Sequence, residues 1–180
     1  DIQAEGSDFS AGGNINLQAD RDVNLQAMKN VDNYQYKTKR KKEIHNTTEH
    51  DVVNMNSGGS VTIDAGQDAN LIGTNIAAND DVFISADRDT NISAVVDSDY
   101  DYLKTRKNKS LGRSKTKIDE TLTEKVVGGA IDSGGNVLVN AHVSADGKLI
   151  SDASGKVNLL GVVINADDNV VISGDEDVNI

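Results

Sequence analysis

The chain has 180 residues, 37% of them hydrophobic but only 3% aromatic, with no Trp, Pro or Cys. That composition excludes disulfides and thiolate metal sites and argues against an aromatic-packed globule. A net charge of −11 argues against nucleic acid as a partner.

The first pattern opens at Gly12-Gly13 and runs through Asn14-Ile15-Asn16-Leu17 to Ala19. Gly58-Gly59-Ser60-Val61-Thr62-Ile63 to Ala65 and Gly134-Gly135-Asn136-Val137-Leu138-Val139 to Ala141 repeat it. Each is a run of period 2, the signature of a strand that buries one face.

A finer period of 21 lies beneath. Val61 and Ile63 recur as Val82 and Ile84, Ala69 and Leu71 as Thr90 and Ile92, Val157 and Leu159 as Val178 and Ile180, and Leu149 as Val170. A third apolar position precedes some of these by six residues: Ile76 before Val82, Val143 before Leu149, Ile164 before Val170. Val23, Ala69, Thr90, Val137, Val157 and Val178 mark the second strand of successive coils. Two strands and a shorter third, separated by Gly, Asn and Asp turns, make one coil of a solenoid. A single coil cannot cover its own apolar face, so copies must stack about 4.8 Å apart. A β-sandwich also has short strands and turns but no reason to keep this spacing. The expected fold is all-β, a right-handed parallel β-helix over residues 1–180. The hand rests on the general preference for right-handed crossovers together with the family resemblance given below. The pattern is cut off at both ends, as in a stretch of a longer array.

The coils are interrupted at residues 29–57 and 95–132, and the interruptions resemble each other. Tyr34-Gln35-Tyr36-Lys37-Thr38-Lys39-Arg40-Lys41-Lys42 parallels Tyr100-Asp101-Tyr102-Leu103-Lys104-Thr105-Arg106-Lys107. Each then reaches a Val-Val pair (Val52-Val53, Val126-Val127) and re-enters at Ser-Gly-Gly. Residues 33–50 and 99–125 carry 13 of the 18 Lys and Arg, and all four Tyr. Their net charge is +6 against −17 for the remainder. Alternation and Thr content predict extended β-hairpins, with Ser110–Ser114 at the tip of the second. A helix is the alternative over Ile118–Val127, where Ile118, Leu122 and Val126 fall near helical spacing.

Tyr34, Tyr36, Lys39, Arg40, Lys41, Tyr100, Tyr102, Lys104, Arg106 and Lys107 form the candidate contact surface, suited to an acidic or glycan-bearing partner or to lipid headgroups. The bland reading of the same charges is that they keep hairpin edges from pairing. Enzyme chemistry finds no support. Asp residues cluster at turns, and no Gly-x-Ser-x-Gly or Walker loop occurs. His45 and His50 lie near Glu49, and His142 stands apart, without the spacing of a zinc site. No cofactor, metal site or catalytic residue is expected.

The Gly-Gly-Asn-Ile-Asn-Leu-Gln-Ala and Gly-Gly-Ser-Val-Thr-Ile-Asp-Ala runs resemble the haemagglutinin repeats of filamentous-haemagglutinin-type exoproteins. So does Asp89-Thr90-Asn91-Ile92 followed by the Tyr-x-Tyr and Lys/Thr-rich insertion, Val-Val and Ser-Gly-Gly. The ordered combination is similar to the second repeat region of contact-dependent growth-inhibition exoproteins and related adhesins. The resemblance implies export from a Gram-negative bacterium through an outer-membrane two-partner-secretion transporter and a β-helical filament on the cell surface. It implies a non-enzymatic segment that serves toxin delivery across the target cell's outer membrane. An adhesin surface for a glycan or host receptor is the alternative, and a polysaccharide lyase or hydrolase a more distant one.

Overall fold

In a computed structural model the described residues are 1–143, 149–151 and 155–180, with side chains described outside 141–154. Every regular element among them is a strand. The chain divides into two compact units, one of residues 1–28, 51–95 and 127–180, the other of residues 29–50 and 96–126.

The first unit is a parallel β-helix. Strand β1 (Ile2–Glu5) precedes a coil of β2 (Asp8–Ala11), β3 (Ile15–Ala19) and β4 (Val23–Gln26). The chain then enters the second unit as β5 (Met28–Lys37) and β6 (Lys41–Asp51). Two coils follow: β7 (Val53–Ser57), β8 (Val61–Ala65), β9 (Ala69–Ile72), then β10 (Thr74–Ala78), β11 (Val82–Ala86), β12 (Thr90–Ser93). The second excursion is β13 (Val95–Asn108) and β14 (Ser114–Val127). Coiling resumes with β15 (Ala130–Ser133) and β16 (Val137–Val139), breaks at β17 (Ala141–Val143) and β18 (Leu149–Ser151), and continues through β19 (Val157–Leu160). The last strands are β20 (Val163–Ala166), β21 (Val170–Ile172) and β22 (Val178–Asn179).

Three parallel sheets result. Sheet I stacks β2-β7-β10-β15-β20, sheet II β3-β8-β11-β16-β21, and sheet III β1-β4-β9-β12-β19-β22. Register is residue-matched: Ile15, Val61, Val82, Val137 and Val170 form one column of sheet II. Phe9, Met55, Ile76, Ile131 and Ile164 form one of sheet I. Ala4, Leu25, Leu71, Ile92 and Leu159 form one of sheet III. In the middle coils these side chains are almost fully buried, which is the apolar burial that holds stacked coils together. Val170 and Val178, in the last described coil, are 47% and 41% exposed.

Outward-facing residues also stack. Asn70 donates to Asn24, Asn91 to Asn70, Asn158 to Asn91 and Asn179 to Asn158, at 2.7–2.9 Å, along the whole outer face of sheet III after β1. The amides of Asn70, Asn91 and Asn158 each give one hydrogen bond to the coil before and take one from the coil after. At the corner entering sheet III, the Arg21 guanidinium grips Asp1 and that of Arg88 grips Asp68, each in a two-nitrogen fork one coil back. Arg88 thereby holds the Asp68 carboxyl below its ordinary range. The Ser-Gly-Gly corners have a local logic as well. Ser57 Oγ donates to the Gly13 carbonyl and accepts from the Gly59 amide, and a Cβ on Gly58 would lie 2.5 Å from the Gly12 carbonyl oxygen.

The corner leaving sheet III decides where the coil is interrupted. The residue after the strand is Gly6, Ala27, Gly73, Ala94 and Gly161 in successive coils. The three glycines have φ of 50°, 66° and 65°, and the chain turns directly into sheet I. Both alanines precede an excursion. An L-residue resists that left-handed conformation, so the chain runs on extended into β5 or β13. Gly and Ala therefore alternate, and an excursion leaves every second coil.

Several expectations change. Val137 lies in sheet II against Val82, and the column of sheet III begins instead with Ile2 against Val23. Val170 pairs with Val137, and Leu149 pairs antiparallel with Val143, so those two belong to a small excursion of their own. It begins at Asn140, a buried residue at φ 49° whose Oδ1 accepts from the Ala86 amide and the Thr90 hydroxyl. The coil resumes at Val53 and Ala130, ahead of the ends at 57 and 132 read from the sequence, because Val53, Met55 and Ile131 fill core columns. Ile118–Val127 is strand, not helix; an extended neighbour in the sheet overrides a short apolar spacing. Of the Asp residues read at turns, Asp146 and Asp152 lie outside the described residues, as does the His142 side chain.

Candidate functional site

The second unit is one four-stranded sheet in the order β14-β13-β6-β5. The two excursions are not separate: β6 of the first pairs antiparallel with β13 of the second, from Ser98 against Thr48 to Thr105 against Lys41. The sequence similarity between the excursions is thus expressed as a shared sheet.

All ten residues of the candidate surface lie in this sheet or its turns. Tyr34 and Tyr36 are on β5, Lys39 and Arg40 in the β5–β6 turn, Lys41 at the start of β6, and Tyr100, Tyr102, Lys104, Arg106 and Lys107 on β13. Thr38 builds the turn: its Oγ1 accepts from the Lys41 amide at 2.9 Å, and its own amide donates to the Lys41 carbonyl. That fold-back sets Lys42 directly opposite Lys104, and the Arg106 amide donates to the Arg40 carbonyl. Lys39, Arg40, Lys41, Lys104 and Arg106 therefore line one concavity, joined by Lys37 and Lys42. Like charges directly across a strand pair are unfavourable, so this end of the sheet gains from an anion. Lys41 is neutralised within the fold by Glu43 at 2.7 Å. Lys41 Nζ lies 5.9 Å from the Tyr36 ring centre and Lys42 Nζ 5.4 Å from that of Tyr102, within cation–π range. Lys107 and the four tyrosines, Tyr34, Tyr36, Tyr100 and Tyr102, do not line the concavity. The Tyr100 hydroxyl donates to Glu120 on β14 at 2.9 Å, a bond that raises its pKa.

Two histidines were missed as partners. His45 Nδ1 is 2.7 Å from Asp101 and 3.6 Å from Asp99; His50 Nδ1 is 2.9 Å from Asp97, whose carboxylate also takes the His50 amide. Both histidines are on β6 and all three aspartates on β13, so the pairs bridge the seam between excursions. The hydrogen bond to Asp101 raises the His45 pKa, and Asp99 and Asp32 add to it. His45, Asp99 and Asp101 present donor atoms close enough to hold a divalent ion. All three side chains are at least 40% exposed, and the short His45–Asp101 bond already satisfies the ring nitrogen. Alternation on β6 and β13 was the available signal, but which residues face each other depends on the register between two distant segments.

A second concavity lies on sheet I, lined by Ser10, Asn56, Ala77, Asn79, Asp132 and Asp167 among others. Within it Asp132 accepts from Asn165 at 2.7 Å and Asn79 donates to the Gly58 carbonyl at 3.5 Å, both bonds between stacked coils.

The model of the family described as "Hemagglutinin repeat" matches the chain twice, over residues 1–44 and 33–117. No curated protein and no solved structure matches.

Proposed function

The chain belongs to the hemagglutinin-repeat family, and from that premise we propose that it works where a filament meets a target cell, its β-helix as scaffold and its four-stranded sheet as contact surface. The family membership makes it a structural repeat region of a secreted, surface-associated exoprotein. In the fuller reading the exoprotein is exported by a Gram-negative bacterium through an outer-membrane two-partner-secretion transporter. This region then supports passage of a toxin across the target outer membrane.

The observation that carries the reading is the charge placement. Seven cationic side chains from 37–42, 104 and 106 converge on one end of the sheet, on a chain whose net charge is −11. A cationic cluster on an acidic background orients the molecule toward an anionic surface, and phosphate-bearing outer-membrane headgroups offer one. The exposed rings of Tyr34 and Tyr36 (50% and 44%) favour the second reading, a glycan-binding adhesin surface.

The test is charge reversal at Lys39, Arg40, Lys104 and Arg106 in the exported exoprotein, with target-cell binding and toxin entry measured separately. Loss of salt-sensitive binding supports the contact surface. Retained binding with lost entry supports a delivery role alone. Salt-insensitive binding abolished by Tyr34→Ala and Tyr36→Ala supports the glycan reading. No change in either measurement overturns the proposal.

A further inference from the structure

The sheet of the second unit ends on β14, a strand of 14 residues with no Pro and with no strand among the described residues paired to its outer side. Long, regular edges are templates for another strand, and proteins ordinarily blunt them with charged side chains, Lys above all, or with Pro or bulges. β14 is electrically balanced, with Lys115, Lys117 and Lys125 against Asp119, Glu120 and Glu124. It also keeps Ile118, Leu122 and Val126 more than half exposed.

We propose that this edge receives the first strand of a further excursion of the same kind, carried two coils beyond β12, so that successive excursions knit into one continuous antiparallel sheet.

The β6–β13 seam already shows the rule: the second strand of one excursion pairs with the first strand of the next. β14 is the second strand of its excursion and presents the same side. Strand directions agree, since alternate strands of an antiparallel sheet run the same way.

The spacings agree as well. Excursions leave after β4 and β12, which are two strand positions apart in sheet III. That is an advance of about 10 Å at the usual strand separation. Each excursion contributes two strands to its own sheet, also an advance of about 10 Å. The two spacings are equal, so a departure every second coil is commensurate with a sheet that grows by two strands per excursion. The Gly–Ala alternation at the corner sets this period: Gly73 and Gly161 close the coils that carry no excursion. β22 is two strand positions past β12 in sheet III, which is where the alternation places the next departure.

The test uses the full chain with residues 93–180 following Ile180 a second time, so that Ser93-Ala94 continues β22 into a third excursion. The control carries the same addition without residues 94–127, joining Ser93 to Gly128, a residue already at φ 71° over Gly73. Amide hydrogen exchange is read on the first copy of β14, isotopically labelled apart from the repeated copy, which stays an open edge. The expected result is at least tenfold slower exchange at alternate β14 amides in the first tandem, and no change in the control. Equal β14 exchange in the two, with the added coils protected in both, overturns the proposal. Concentration-dependent protection of β14 in the 180-residue chain assigns the edge to a second copy and overturns it too. An excess of a peptide of residues 95–108, added to the 180-residue chain, probes the edge without any tandem fold. It should slow exchange in β14 and not in β5; no effect, or the reverse preference, refutes the pairing rule.

Discussion

Gly73→Ala is the sharpest test of the corner. At φ 66° an L-residue costs roughly 1–2 kcal/mol. The new Cβ would also stand 2.6 Å from the Ala27 Cβ and 3.1 Å from a Val95 methyl. Neither neighbour can rotate away, because one is a methyl on backbone and the other is β-branched. Overpacking of this kind adds about 1–3 kcal/mol, so the total is about 2–5 kcal/mol. Gly12→Ala is the control: nothing lies within 4 Å of its Cβ and its φ is not left-handed, so the change should stay under about 1 kcal/mol. Urea midpoints from far-UV circular dichroism report both. The steric part is separable in a double-mutant cycle. In an Ala27→Gly background the closest methyl is gone, and Gly73→Ala should lose only the conformational part and the milder contact with Val95. A coupling of about 1–3 kcal/mol is expected for groups in direct contact. Strict additivity, or a Gly73→Ala effect equal to that of Gly12→Ala, would show that the corner is not governed by this close approach.

Asn91→Ala removes two rungs of the asparagine ladder, to Asn70 and from Asn158. Asn179→Ala removes one. At about 0.5–1.5 kcal/mol per bond, Asn91→Ala should shift the urea midpoint about twice as far, and equal shifts would argue against a continuous ladder. Ile84→Ala empties a fully packed column position between Ile63 and Val139 and should destabilise by about 2–5 kcal/mol in the same assay; a loss below about 1 kcal/mol would mean a loosely packed core. The His45 pKa is raised by Asp101, so the pair's stabilisation is full below the unfolded value near 6.5 and fades as pH rises through the raised folded value. NMR titration of the ring should give a midpoint above the ordinary value, moved down by Asp101→Asn; an unmoved midpoint would sink the assignment.

Much of the first unit is legible in the sequence because its physics is local and repeated. A spacing of 21 residues predicts Val61 over Val82 and Thr90 over Ala69, and both are observed. The spacing fails where chain is inserted, since distance along the sequence no longer measures distance along the stack. Ile15 meets Val61 at a separation of 46, and Val137 meets Val170 at 33. The second of these was misread because the residues after Val139 imitate a coil strand while Asn140 turns the chain out. The meaning of the Gly–Ala alternation was also present, but only the dihedral angles reveal which positions need a left-handed residue.

The sequence by itself determined the all-β class, the stacked columns, the two basic excursions and their likeness to each other. These rest on period, composition and charge, which need no partner to be read. Only the tertiary structure decided that the excursions share one sheet, that His45 and His50 face aspartates across it, and that Lys42 opposes Lys104. Strand pairing between segments some 50 residues apart is set by which backbone edges meet. Alternation along each strand gives two possible faces and many registers, and only the folded chain selects one.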